Sequence, residues 1–462
     1  MFTLSLLLVF GATLDAPTVD ARSPLTVDLS DGWAFELDGS SQGTERLPIR
    51  KELRRKGRAR LAKSFAVSKE LLASKPRLEL GAFAGKQVVT LNGEPVLVSG
   101  GKARGYPLDL DAPKLREGEN RVTIDIEFSD WHGGPKSRGT PRLGPATTRT
   151  HGLFFLKHRS SADDTLQPYA LYLPPTLKDG EKAPLLIVLH GYSGDETSYL
   201  YTAAFDYADR DKTVLAFPHG RGRSLYAGKG EDDILDCLDD VKRRTAIDAA
   251  RVSITGASMG GAGALSAGFH HPHLFAASVN FMGDSLYTVW KQYIRWHFKT
   301  MEEAERYSPL LYAENGIHQP HLWIHGTVDH VAPLNQARWM EQKARELSKK
   351  LKMKFPIEFD YAPGYDHEER LLHDRWEKVF TFIREKRVAN PERVFIVANS
   401  NGVRRDRAGK IRPGQWNRAY WLEMQVKATG QWGRIEVVRN ATTGKLKVVR
   451  RENVKAYRVV GD

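Results

Sequence analysis

The stretch that most constrains the fold is Arg251–Leu265, where an apolar strand runs into a row of small residues. Gly256, Ser258 and Gly260 form the pattern G-x-S-x-G between this strand and a predicted helix. Because a sharp strand-to-helix turn brings backbone segments together, a side chain at 256 or 260 is expected to collide with them. Such a turn directs the Ser258 hydroxyl outward, next to free N–H groups at the helix start. The pattern predicts a serine nucleophile, and a tightly packed glycine-rich loop is the structural alternative.

Two later segments supply the partners that a serine nucleophile needs. Asp329 follows an apolar strand at 321–325, and His367 lies on a loop between a strand around Phe359 and a predicted helix. An acid at a strand end can fix one imidazole nitrogen while the other takes the serine proton. The chain order Ser258, Asp329, His367 therefore predicts a nucleophile, an acid and a base.

The region 151–388 resembles α/β-hydrolase serine esterases of the feruloyl-esterase and poly(hydroxybutyrate)-depolymerase type, and is similar to the catalytic domains of prolyl oligopeptidases. The matching motifs are His190-Gly191, Gly256–Gly261, Gly326–Asp329 and His367. The resemblance implies a mostly parallel sheet and the triad order seen here. It departs from the family in Val331-Ala332-Pro333, where Val-Pro is usual, and in Gly364, which does not directly precede the histidine. These departures leave Asp366 and His330 as rival assignments.

The apolar run Leu185–Leu189 is typical of a central parallel strand covered on both faces. It ends in His190-Gly191-Tyr192, and in this fold the following loop supplies one oxyanion N–H while the residue after the nucleophile supplies the other. The backbone N–H groups of Tyr192 and Met259 are therefore the predicted oxyanion hole. We interpret the loop 219–230 as a wall of the substrate pocket. The aromatic-rich stretch 284–318 is interpreted as either a lid or a surface excursion.

Residues 22–130 are predicted to form a β-sandwich, since Arg121–Glu127 alternates polar and apolar residues and Asn92-Gly93 marks a hairpin turn. Trp33–Phe35, Ala62–Val67 and Leu115–Val122 resemble the N-terminal jelly-roll domain of family-2 glycoside hydrolases, a fold similar to galactose-binding-like domains. The resemblance implies either a structural module or contact with carbohydrate. No sugar-binding residue can be named from it.

The remaining segments complete a multidomain organisation. Residues 131–150 are rich in Gly, Pro, Ser and Thr and are predicted to be a linker. Residues 390–462 contain short alternating strands and turn signals, which predict a small C-terminal β domain. We expect this domain to pack against the hydrolase, although its role stays open.

The formal net charge of +13 is spread along the chain, apart from the basic run Arg50–Arg58. Since no stacking-aromatic or helical DNA-reading pattern accompanies that run, we expect no nucleic-acid partner. The single cysteine, Cys237, excludes an internal disulfide and a thiolate metal site. No ligand spacing connects His219, His325 or Asp232-Asp233, so the sequence predicts neither a metal nor a cofactor.

Residues 1–21 resemble a secretory signal peptide, with an apolar run from Phe2 to Phe10 that is too short to span a bilayer. No Lys or Arg precedes this run, so a disordered or misassigned N-terminus is the alternative. No later stretch reaches 18 apolar residues, and we expect no membrane span. The predicted location is secreted or periplasmic.

The predicted function is a secreted serine carboxylesterase that works through an acyl-enzyme. Its expected partner is an ester substrate, with feruloyl or acetyl esters of plant cell-wall polysaccharide suggested by the resemblances. The alternative is a peptidase of the prolyl-oligopeptidase type, although about 150 residues before the hydrolase are too few for a β-propeller. A carbohydrate-binding protein with an inactive hydrolase domain is the third hypothesis. The sequence does not define an oligomeric state.

Overall fold

The computed structural model describes residues 27–47, 55–74, 76–83, 86–98, 107–111, 114–128, 137–138, 142–145, 152–178, 180–192, 194–200, 202–289, 296–400, 417–428 and 430–460. The predicted signal peptide lies outside these residues, as does most of the predicted linker. The strands are β1 Val27–Asp28, β2 Trp33–Leu37, β3 Ser40–Glu45, β4 Gly57–Val67, β5 Pro76–Phe83, β6 Lys86–Leu91, β7 Glu94–Val98, β8 Pro107–Asp111, β9 Gly118–Phe128, β10 Ser137–Arg138, β11 Arg142–Pro145, β12 Gly152–Arg159, β13 Leu166–Leu173, β14 Ala183–Leu189, β15 Val214–Pro218, β16 Ile247–Ala257, β17 Ala277–Phe281, β18 His321–Gly326, β19 Ile357–Ala362, β20 Arg393–Asn399, β21 Arg418–Ala419, β22 Leu422–Val426, β23 Trp432–Arg439, β24 Leu446–Glu452 and β25 Val454–Val459. The helices are α1 Lys69–Ala73, α2 Ala204–Asp211, α3 Lys229–Arg244, α4 Met259–His270, α5 Met301–Tyr307, α6 Asn335–Leu351, α7 Arg370–His373 and α8 Trp376–Ile383, and 3-10 helices span Tyr287–Val289 and Pro309–His318.

The chain forms two compact units. The first extends to Phe154 and also includes residues 172–178 and 194–210. The second comprises residues 155–171, 179–193 and those from 211 onward. Every candidate site residue predicted from the sequence lies in the second unit.

The N-terminal residues form antiparallel sheets, as predicted. One sheet has the order β3-β2-β4-β9-β6-β7, and the other has the order β1-β11-β5-β10 with β8 paired to β5. In β9, Val122, Ile124 and Ile126 are buried while the intervening side chains are more exposed, so the predicted alternation is confirmed. Apolar side chains from both sheets join one buried cluster that includes Trp33 and Leu78. The resemblance to a galactose-binding-like domain stays a prediction.

The central sheet has the strand order β12-β13-β15-β14-β16-β17-β18-β19. Strands β14 to β19 pair in parallel, which confirms the predicted mostly parallel sheet. The run Leu185–Leu189 pairs with strands on both sides, and all five of its residues are fully buried. Because the strands are parallel, their carboxyl ends share one sheet edge, and Ser258 and Asp329 both follow strands at that edge.

The C-terminal segment forms two three-stranded sheets, β20-β23-β24 and β21-β22-β25. Asn315, in the second 3-10 helix, joins this segment to the predicted hydrolase domain. Its amide nitrogen donates to the Val397 carbonyl at 3.1 Å, and its amide oxygen accepts from the Val397 N–H at 2.7 Å. Arg450 also pairs with Glu314 at 3.1 Å. These contacts confirm the expected packing of the C-terminal β segment against the predicted hydrolase domain.

Across the part of the chain described above, no helix combines the length and apolar character that crossing a membrane requires.

His321, at the start of β18, is a buried histidine of the central sheet. Its ring stacks on Phe355 with centroids 5.7 Å apart, and its Nε2 lies 3.2 Å from the Gly316 carbonyl oxygen. Burial lowers the pKa of His321 to about 3. The folded chain therefore holds this imidazole neutral at pH values where the unfolded chain protonates it.

We expect His321→Leu to reduce the acid sensitivity of folding. The unfolded chain binds a proton at this position below about pH 6.5, whereas the folded chain does so only near pH 3. Stability is therefore lost as the pH falls through this window, by about 2 kcal/mol between pH 7 and pH 5. Urea unfolding at both pH values should show a correspondingly smaller drop in the variant. An equal drop in both proteins would contradict the assignment.

Candidate active site

The turn at Ser258 has the backbone geometry of a strained nucleophile. Ser258 has φ 57° and ψ −120°, between the last residue of β16 and the first of α4. Its N–H donates to the Phe281 carbonyl at 2.8 Å. A Cβ on Gly256 would lie 2.5 Å from the Gly260 backbone, and one on Gly260 would lie 2.2 Å from the Leu189 carbonyl oxygen. The predicted collisions are confirmed, and they explain why glycine occupies both positions.

The structure brings the three predicted residues Ser258, His367 and Asp329 into one hydrogen-bonded chain. His367 Nε2 lies 2.9 Å from Ser258 Oγ, and its Nδ1 lies 2.8 Å from Asp329 Oδ2. Both His367 and Asp329 are buried. The other carboxylate oxygen of Asp329 accepts the N–H groups of Val331 at 2.9 Å and Ala332 at 2.8 Å. This geometry fits proton transfer from serine to a histidine oriented by an acid.

The rival residues Asp366 and His330 pair with each other instead. His330 Nδ1 lies 2.6 Å from both Asp366 carboxylate oxygens, and both side chains are substantially exposed. Partial burial alone would raise the pKa of Asp366, but hydrogen bonds from the N–H groups of His367 and His330 lower it overall. The pair fixes the loop that carries His367 without contacting Ser258.

The predicted oxyanion donors belong to backbone segments that touch. Met259 is the first residue of α4, so its N–H is one of the donors that a helix start leaves without an intrahelical acceptor. A Cβ on Gly260 would lie 2.7 Å from the carbonyl oxygen of His190. His190 is two residues before Tyr192, so the two segments are in close contact. This close approach of the turn at Ser258 to the end of β14 places both predicted donors at the carboxyl edge of the sheet.

The sequence reasoning did not identify Tyr226 as a support of the oxyanion loop. The Tyr226 hydroxyl accepts the His190 N–H at 3.0 Å. The His190 ring nitrogens lie 2.8 Å from the carbonyl oxygens of Gly191 and His219. These contacts tie the loop after β14 to the glycine-rich loop 219–230. No local pattern marks Tyr226, because its role depends on contacts between distant segments.

His325 is a second residue whose contacts the sequence did not reveal. The Trp323 indole N–H donates to His325 Nδ1 at 3.0 Å, so the ring proton resides on Nε2. Nε2 then donates to the Ala332 carbonyl at 2.8 Å and lies 3.5 Å from Asp329 Oδ2. Burial lowers the pKa of His325, which keeps the ring neutral. His325 thus supports the turn whose N–H groups bind Asp329.

The predicted pocket wall 219–230 and the stretch 284–318, interpreted above as a lid or a surface excursion, both reach the side chain of Tyr192. The loop 219–230 contributes Arg223, whose guanidinium carbon lies 5.2 Å from the centre of the Tyr192 ring. The stretch 284–318 contributes His297, whose Nε2 lies 3.2 Å from the Tyr192 hydroxyl. Burial lowers the pKa of His297, so the neutral ring can accept a hydrogen bond from the Tyr192 hydroxyl. Tyr192 itself is 36% exposed and therefore available to a substrate.

Among the described residues, one group of side chains has the spacing needed to bind a metal ion, and none of the triad residues belongs to it. It consists of His158, Asp233 and Asp236. The sequence reasoning predicted no metal, and of these residues it had considered only Asp233. Nothing in the spacing along the chain relates His158 to the two aspartates.

Residues 218–402, which include Ser258, Asp329 and His367, match the model of the prolyl oligopeptidase family. This part of the chain is therefore similar to that family of serine hydrolases. Among curated proteins, no sequence matches the chain.

Solved structures of several hydrolases are similar to part of the chain. A fluorophosphonate-binding serine hydrolase of Staphylococcus aureus is 21% identical with a TM-score of 0.42, covering 51% of this chain and 99% of its own. An S-formylglutathione hydrolase from Agrobacterium tumefaciens is 17% identical with a TM-score of 0.43, and the match covers 53% of this chain and 98% of that hydrolase. The Pyrococcus horikoshii acylaminoacyl peptidase is 20% identical with a TM-score of 0.45, covering 53% and 44%. With TM-scores below 0.5, these chains indicate neither substrate nor mechanism for this protein.

We expect His367→Ala and Asp366→Ala to differ sharply, although the residues are adjacent. Loss of a triad histidine removes the proton acceptor and should lower kcat by about 10⁶-fold. Asp366→Ala removes the exposed pair with His330 and the acceptor of the His367 N–H, but no contact with Ser258, and should retain most activity. Steady-state kinetics on p-nitrophenyl acetate, with circular dichroism to verify folding, distinguishes them. The reverse order of effects would show that the base is assigned to the wrong residue.

We expect His325→Phe to lower kcat by roughly tenfold, because the Ala332 carbonyl loses a buried donor and the Asp329 turn loosens. The KM should change little, since His325 has no path to substrate. The acid limb of the pH profile of kcat/KM should also move to lower pH, because Asp329 would stabilise the His367 imidazolium less. His325→Gln keeps an N–H donor and should restore part of the rate. Equal loss in both variants, with no shift of the pH profile, would indicate a purely structural role.

Proposed function

We propose that the protein is a carboxylesterase in which Ser258, His367 and Asp329 form the catalytic triad. The observation that carries this proposal is the unbroken chain of hydrogen bonds from Ser258 Oγ through both nitrogens of His367 to Asp329. An intact chain of this kind speaks against an inert hydrolase domain. Among the described residues, ion-pair contacts to Asp329 come only from histidines, so its charge is available to stabilise an imidazolium.

In the first half-reaction, Ser258 Oγ attacks the ester carbonyl carbon while His367 Nε2 takes the hydroxyl proton. The backbone N–H groups of Tyr192 and Met259 donate to the resulting oxyanion. Loss of one such donor typically costs on the order of 100-fold or more in rate. The tetrahedral intermediate expels the alcohol, which receives the proton from His367. Water then attacks the acyl-enzyme with His367 again acting as base, releasing the acid and regenerating Ser258.

Exposed aromatic side chains support an aromatic acyl group as part of the substrate. Tyr192 lies on the proposed oxyanion loop and contacts His297. Trp296, which precedes His297 in the chain, is 67% exposed. Such flat side chains suit stacking on a feruloyl ring or packing on a sugar face. Together with the N-terminal resemblance to a glycosidase module, they support feruloyl or acetyl esters of plant cell-wall polysaccharide. Export, supported by the apolar run at residues 2–10, agrees with such a substrate.

A peptidase of the prolyl-oligopeptidase type is the second candidate, and the family match favours it. Both candidates use the same triad chemistry, so the site geometry fits either. The described N-terminal residues form a six-stranded and a five-stranded sheet, which differ from the repeated four-stranded blades of a propeller. This difference favours the esterase.

We expect the purified protein to hydrolyse p-nitrophenyl acetate and methyl ferulate, and to release acid from acetylated xylan. Ser258→Ala should lose nearly all turnover because no nucleophile remains, while Ser64→Ala, an exposed serine of the N-terminal sheet, should match the wild type. Proline-containing peptides are assayed in parallel. Peptide cleavage without ester turnover would replace the esterase with the peptidase. Full activity of Ser258→Ala would refute the mechanism itself.

A further inference from the structure

His158, near the end of β12, is a buried histidine outside the candidate active site. The side chain is 2% exposed, and its ring lies 6.0 Å from that of Tyr169. Neither ring nitrogen has a hydrogen-bond partner among the described residues. Since buried polar groups are almost always satisfied, this imidazole requires an explanation.

One ring nitrogen of His158 lies close to two carboxylates on α3. Asp233 and Asp236 are three residues apart and therefore share one face of that helix. One nitrogen of His158 and one carboxylate oxygen from each aspartate all lie within 4.8 Å of one another. Ligand atoms bound to a single metal ion are roughly 3–4 Å apart, so a small adjustment would close this group around a cation.

Asp236 lacks a compensating positive charge. Its carboxylate accepts the Ser161 N–H at 2.7 Å, but in the described parts of the chain no Lys or Arg pairs with it. Burial, and to a lesser extent the nearby carboxylate of Asp232, raises the pKa of Asp236. A half-buried carboxylate in this setting is stabilised by any cation that binds next to it.

Asp233 is fully buried and only partly neutralised. It accepts the Ser160 hydroxyl at 3.0 Å and pairs with Arg221. Arg221 is shared, however, because its two terminal nitrogens also bind Asp163 at 2.9 and 3.0 Å. Lys229 binds Asp163 as well, at 3.0 Å. Arg221 and Lys229 therefore pair with Asp163 and Asp233 only, which leaves Asp236 as the carboxylate of the group without a cationic partner among the described residues.

We propose that His158, Asp233 and Asp236 bind a divalent transition-metal ion of the Zn²⁺ or Mn²⁺ type. One imidazole nitrogen with two carboxylate oxygens suits such ions, whereas Ca²⁺ prefers six to eight oxygen ligands. The ion neutralises the excess negative charge and gives the His158 nitrogen its missing partner. It also links β12 to α3, and Asp233 connects it through Arg221 to the loop 219–230. The proposed site is structural and takes no part in the chemistry at Ser258.

Metal binding is tested on untagged, full-length protein treated with a chelator and then dialysed. Calorimetric titration with Zn²⁺ and with Mn²⁺ should show one site per chain for at least one of them, and saturation should raise the unfolding midpoint by roughly 5 °C. Ca²⁺ should bind much more weakly. X-ray absorption of the loaded protein should show an imidazole within a nitrogen and oxygen shell. Ser258→Ala should bind equally well, because the site is independent of the proposed esterase activity.

Variants locate the site. His158→Gln and Asp236→Asn should each weaken binding by roughly 100-fold. The control is Asp239→Asn, an exposed aspartate on the same helix, which should bind like the wild type. No stoichiometric binding of either ion by the wild type would overturn the proposal. Equal binding by all three variants would also overturn the proposal, since the ion would then lie elsewhere. If a variant fails to fold, the absorption spectrum of the wild type still decides, because a spectrum without an imidazole ligand would exclude His158.

Discussion

The left-handed backbone conformation of Ser258 is the constraint on which the candidate site depends. A non-glycine residue in this strained region costs roughly 1–3 kcal/mol, so the surrounding structure must hold it. The Phe281 carbonyl binds the Ser258 N–H, and the absence of side chains at Gly256 and Gly260 lets the turn press against the end of β14. The same close approach brings the start of α4 next to the loop that carries Tyr192.

The acid of the candidate triad is held almost entirely by uncharged groups. Two backbone N–H groups bind one oxygen of Asp329, and the neutral His325 supports the turn that presents them. A salt bridge to Lys or Arg would offset the charge that an imidazolium needs during catalysis. Tyr192 takes part in two kinds of contact. Its backbone belongs to the proposed oxyanion hole, and its side chain contacts the loop 219–230 and the stretch 284–318. Changes in those loops would therefore act on Tyr192 without altering the contacts among Ser258, His367 and Asp329.

Much of the fold was predictable because its signals are local. Alternation in Arg121–Glu127 and the unbroken apolar run Leu185–Leu189 each follow from the burial of one or both faces of a strand. The strand pairings that join these segments depend on contacts between residues far apart in the chain. Asn315 shows the limit of local reasoning: its amide acts as a partner for the backbone of β20, and nothing near it in sequence indicates this.

The sequence alone determined the serine turn, the order of nucleophile, acid and base, and the segments expected to carry the oxyanion donors, because strand-end motifs are short and ordered along the chain. Only the tertiary structure decided that His367 contacts Ser258 while the adjacent Asp366 pairs with His330. It also revealed the support from Tyr226 and His325, and the convergence of His158 with Asp233 and Asp236. Side-chain direction and long-range contact arise from packing between distant segments, which no local pattern encodes.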